Sequence, residues 1–102
     1  MKILDEIGEP AVLEQLAEEC TELAHAALKL SRKLRGESPT PASEDMIRQD
    51  IMEEMADVQV CITVLSAGVC WVDEQYIKIV MGQKLQRWQQ RIREAEEGGD
   101  AL

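Results

Sequence analysis

Phenylalanine is absent from this chain, and its aromatic residues are only Trp71, Tyr76 and Trp88. Three side chains are therefore all that could stack on a planar ligand, and Trp88 falls on an apolar helical stripe that reads as core. Positive charge is also scarce: 11 Lys and Arg stand against 20 Asp and Glu, a net charge of −9. That balance excludes nucleic acid and anionic membrane as partners, since both need a basic footprint, and it favours cationic or metal-masked ones. The cysteines Cys20, Cys61 and Cys70 are odd in number, have no C-x-x-C spacing and follow no cleavable signal. Free thiols in a reducing, cytoplasmic compartment are the expectation. The most apolar run, Val58 to Val72, is broken by Gln59, Thr63, Ser66 and Gly68 and is shorter than the ~20 residues of a membrane helix. No stretch alternates with period two, so no strand is expected.

What remains is helical. Pro10 suits a first turn, the series Leu13, Leu16, Cys20, Leu23, Ala27, Leu30, Leu34 follows it, and Gly36 suits a C-terminal cap, which predicts a helix over about 10–35. After the loop GESPTPAS, Ser43 reads as the N-cap of a second helix running to about Ala67. Its stripe is Ile47, Ile51, Met55, Val58, Ile62 and Leu65, and Gly68 marks its end. Asp73 caps a third helix with Ile77, Met81, Leu85, Trp88 and Ile92 on one face, until Glu96, Glu97 and the glycine pair end it. The fold class is all-α: one domain over residues 1–102, an antiparallel helical hairpin with a third helix folded back on it. A domain this short buries only about two thirds of its unfolded surface. Apolar Val60 and Val64, outside the main stripe, suggest burial against a second subunit and assembly into a multi-helix bundle by oligomerisation.

Two stretches stand out, EECTE (Glu18 to Glu22) and EEMAD (Glu53 to Asp57). At about 100° per residue, Glu19 and Glu22 lie on one flank of the first stripe, and Glu54 and Asp57 take the same relative places on the second helix. Antiparallel packing would bring both pairs into one cleft. Four carboxylates brought together repel one another, and desolvation adds to the cost, so they require cations or protons. An all-oxygen set favours Mg²⁺, or Mn²⁺, over Zn²⁺, and such ions recruit substrate phosphates, which implies phosphoryl or pyrophosphoryl transfer. Lys84, Arg87 and Arg91 form one basic stripe on the third helix, suited to the other side of a polyphosphate. Glu44, Asp45, Glu94, Glu96 and Glu97 read as capping or solvated acids.

EExxE on one helix, ExxD on the next and a Lys/Arg-bearing third helix together resemble the MazG-like all-α nucleoside triphosphate pyrophosphohydrolases, over residues 10–92. The resemblance implies Mg²⁺ held by Glu19, Glu22, Glu54 and Asp57, and hydrolysis of (deoxy)nucleoside triphosphates to the monophosphate and pyrophosphate. It implies further that Glu18 orients water or a second ion, that Lys84 and Arg91 contact the substrate, and that the protein is a homodimer or homotetramer. Ala56 stands where the family often has Gly, and Trp88 where it often has Asn. Met1 to Glu9 offers little for base recognition, which leaves a neighbouring subunit to complete the pocket.

Two other readings compete. Glu22-x-x-His25 has the spacing used by di-iron carboxylate bundles, although Val60 stands where a matching His would be on the second helix and His25 reads as a surface residue. A non-catalytic helical interaction module, its acids holding a structural ion or keeping the chain soluble, would turn over no substrate.

Overall fold

The computed structural model describes residues 2–37 and 41–100, with side chains to residue 98. It contains four helices, α1 (Lys2–Ile7), α2 (Glu9–Leu34), α3 (Glu44–Gly68) and α4 (Glu74–Asp100), and no strand among the described residues. The chain divides into two compact units, Met1–Val69 and Cys70–Leu102. None of the helices is long and apolar enough to cross a membrane.

The helix ends follow from local chemistry. Ser43 Oγ accepts from the Met46 amide at 3.2 Å, and Asp73 Oδ1 accepts from the Gln75 and Tyr76 amides at 3.0 and 3.1 Å, each satisfying donors that a helix start leaves open. Pro10 sits in the first turn of α2. At the other end Gly36, with φ of 72°, adopts the left-handed turn, the Glu37 amide reaching Arg32 O and the Gly36 amide Lys33 O. Of the expected loop GESPTPAS, Ser38 to Thr40 lie outside the described residues.

Two expectations about the ends are corrected. The segment Met1 to Glu9, for which no helix was expected, contains α1, which meets both α2 and α3. Gly8, with φ of 86°, makes the sharp joint between α1 and α2, and its amide donates to Leu4 O. Leu4 lies so close to Gly68 that a Cβ there would collide with its Cδ2. The glycine pair does not end α4, which continues to Asp100. Glycine weakens a helix by about 1 kcal/mol without stopping it, and neither Gly98 nor Gly99 takes the left-handed conformation that closes one.

Within the first unit α2 and α3 pack as an antiparallel hairpin: Val12 lines one cleft with Val60 and Val64, while Glu19 and Glu22 meet Glu54 and Asp57. One run of inward positions on α2 is Val12, Leu16, Glu19, Leu23, Ala26, Leu30 and Lys33, and one on α3 is Ile47, Ile51, Glu54, Val58, Cys61 and Leu65, with Leu13 and Val64 also protected beside them. The spacing within each run alternates between four and three, the pattern of a helix–helix seam. Ile47 is fully enclosed, with 0 % exposure.

This phase corrects the expected stripes. Cys20, Ala27 and Leu34 are exposed on α2, as are Met55 and Ile62 on α3. Val64 is buried (5 %) in the hairpin's own core and is not free for a second subunit, whereas Val60 is 58 % exposed. In the second unit α4 has no other helix of its own unit to pack on, so Ile77, Met81, Leu85, Trp88 and Ile92 are all exposed. Trp88, expected in the core, is 67 % exposed.

Candidate metal centre

The seam contains two acids. Glu19 lies between Leu16 and Leu23 on α2, and Glu54 between Ile51 and Val58 on α3, at places where a helical hairpin normally puts aliphatic side chains. One turn farther along each helix come Glu22 and Asp57, both exposed at the rim. Each of the four can offer one oxygen such that all four oxygens lie within 4.8 Å of one another. All four sequence-predicted ligands are thus brought together, two from the seam and two from its edge.

The oxygens are not equivalent. Glu19 Oε1 accepts from Gln15 Nε2 at 2.7 Å, whereas Glu19 Oε2 is buried and has no hydrogen-bond partner. Glu54 Oε2 is likewise buried and unpartnered. Both side chains are half-buried, and a buried carboxylate oxygen without a partner carries a cost that neutralisation relieves. Burial pushes the Glu19 carboxyl above its ordinary 4.5; the hydrogen bond from Gln15 opposes this, while the Glu22 and Asp57 carboxylates add to the rise. Two orphaned hard oxygens with two more at the rim fit a hard divalent cation.

Cys61, one turn beyond Asp57 on α3, is buried, and its thiol is pushed above 9.0, first by burial and then by the charges of Glu19, Asp57 and Cys20. It is a neutral core thiol, which leaves the site to oxygen. Sequence reasoning had no signal for this neighbour, because Cys61 lay outside the expected stripe.

The other candidates are placed differently. Glu18 and His25 are exposed and stand outside the group of four. Lys84, Arg87 and Arg91 are exposed on α4, and among the described residues no carboxylate pairs with them. Gln15 was not foreseen; its one signal was its place four residues before Glu19, one helical turn away. Comparisons with protein-family models, with curated proteins and with solved structures returned no match.

Proposed function

We propose that the chain is a Mg²⁺-dependent nucleoside triphosphate pyrophosphohydrolase of the MazG-like kind, releasing the monophosphate and pyrophosphate. The observation that carries the reading is the pair of seam carboxylates with orphaned buried oxygens, Glu19 and Glu54, with Glu22 and Asp57 beside them. A merely solubilising acidic face has no reason to withdraw carboxylates into a helix–helix seam. Glu19, Glu22, Glu54 and Asp57 would hold Mg²⁺, or Mn²⁺ in its place. Such an ion neutralises charge that develops on a polyphosphate as its anhydride bond is broken. Glu18, exposed one residue before Glu19, is assigned the orientation of the attacking water.

Pyrophosphate release from a panel of ribo- and deoxynucleoside triphosphates with Mg²⁺ tests this directly. Turnover of at least one substrate is expected. No release from any of them would leave a non-catalytic helical module, and bound iron with an oxo-bridge absorption band would instead favour a di-iron centre. Against the latter, His25 is not among the clustered ligands.

The substrate's phosphates are assigned to Lys84, Arg87 and Arg91, cationic groups that their own helix leaves without a carboxylate partner. Replacing Lys84 or Arg91 by Ala is expected to raise KM or lower kcat with the thermal midpoint retained, because both are exposed. Unchanged kinetics in both single variants and in the double variant would remove them from the site.

Homo-oligomeric assembly, as a dimer or tetramer, belongs to the same reading. Ile3, Ile7 and Val60 are exposed around one apolar groove of the first unit, and few side chains among the described residues are fully buried. Light scattering at micromolar concentration is expected to give a multiple of the chain mass, and a monomer mass would count against it.

A further inference from the structure

Among the described residues three glutamines donate to a glutamate one turn ahead on their own helix: Gln15 to Glu19 at 2.7 Å, Gln90 to Glu94 at 3.1 Å and Gln49 to Glu53 at 3.4 Å. The first is the shortest, and it alone has an acceptor that belongs to the acidic centre. It also divides the acceptor's two oxygens, since Oε1 is held by the amide while Oε2 stays buried and unpartnered. Gln15 further lines a small apolar cleft of 110 Å³ with Ile3, Ile7, Val12, Val60 and Val64, so α1 and α3 flank it.

We infer that Gln15 is a positioning residue of the metal centre: its amide occupies Glu19 Oε1 and commits Glu19 to binding the cation through Oε2 alone. This rests on the metal reading of the four carboxylates. The chemistry is that of the outer partners of metal ligands, which fix a ligand's orientation and whose loss typically lowers metal affinity about 10- to 100-fold. A carboxylate freed from such a donor can rotate and offer both oxygens, which a site already crowded with three other acids does not favour.

The test is Mn²⁺ binding to the full chain by calorimetry, with Gln15→Met, which keeps the length of the side chain and removes the donor. Gln49→Met, at a glutamine whose acceptor lies outside the centre, serves as control. Gln15→Met is expected to bind Mn²⁺ about 10-fold or more weakly, with the metal-free thermal midpoint retained and the control unchanged. A second readout separates orientation from folding. In infrared spectra of metal-bound minus metal-free protein, the carboxylate signal lost in Glu19→Gln should have a one-oxygen pattern in wild type and a two-oxygen pattern in Gln15→Met. If Gln15→Met unfolds, Gln15→Ala, a better helix former, takes its place. Wild-type Mn²⁺ affinity in the Gln15 variant, alongside weakened binding by Glu19→Gln, would overturn the role of Gln15 and leave the metal centre standing. Absence of Mn²⁺ binding by wild type would overturn the metal centre itself.

Discussion

Glu19→Gln, Glu22→Gln, Glu54→Gln and Asp57→Asn are each expected to lower pyrophosphate release by about 100-fold or more at Mg²⁺ levels that saturate wild type. Losing an outer partner of a metal ligand already costs about 10- to 100-fold, and losing a ligand should exceed that. The two seam positions should be the more sensitive, because the Oε2 atoms of Glu19 and Glu54 are buried and have no protein hydrogen-bond partner. Glu22 and Asp57 are exposed at the rim, where solvent can replace a lost oxygen. Raising Mg²⁺ should recover part of the activity of the rim variants and little of that of the seam variants. Near wild-type turnover in all four would return these acids to the fold alone.

The second large effect is an inversion of stability with metal. In the folded protein Glu19 holds its proton more tightly than in the unfolded chain, because burial and the neighbouring Glu22 and Asp57 carboxylates disfavour its charge. Where the folded state binds more protons, stability falls as pH rises. The contribution of Glu19 is therefore fully present below 4.5, its ordinary value, and is lost as pH rises through the raised value of the folded state. At neutral pH without metal, Glu19→Gln is expected to melt at or above the wild-type temperature, and the difference between the two proteins should shrink as the pH is lowered. Gln at this place can still accept from Gln15, so that hydrogen bond is kept in the comparison.

Saturating Mg²⁺ should reverse the order. A ligand bound only by the folded state stabilises it by about 2.7 kcal/mol at 100 times its Kd, and the variant with three acids gains much less. Melting curves of both proteins with EDTA and with Mg²⁺ check this. A wild type that is the more stable of the two without metal, as it would be if Glu19 were an ordinary ion-pair partner, would refute the picture of a strained anionic cage.

Much of this protein follows from local sequence. Ser43, Asp73, Pro10 and Gly36 set the helix ends because capping needs only residues a few positions apart. The i, i+3 spacing within Glu19/Glu22 and within Glu54/Asp57 puts each pair on one side of its helix whatever the helix packs on. The convergence of the two pairs required only that the hairpin be antiparallel. α1 was missed because six residues without a buried side chain have no periodicity to read, and it is held by contacts with α2 and α3.

The phase of the hairpin was a tertiary decision. On α2 the series through Leu13, Cys20 and Ala27 and the series through Val12, Glu19 and Ala26 share Leu16, Leu23 and Leu30, so the apolar pattern alone permits both. On α3, Met55 and Ile62 lose their places to Glu54 and Cys61 in the same way. By hydrophobicity alone the seam would take Cys20 and Met55 and leave the carboxylates on its flank. It is the packing of α2 against α3 that turns Glu19 and Glu54 inward, and burial without a partner is a property of that packing, which no single helix possesses.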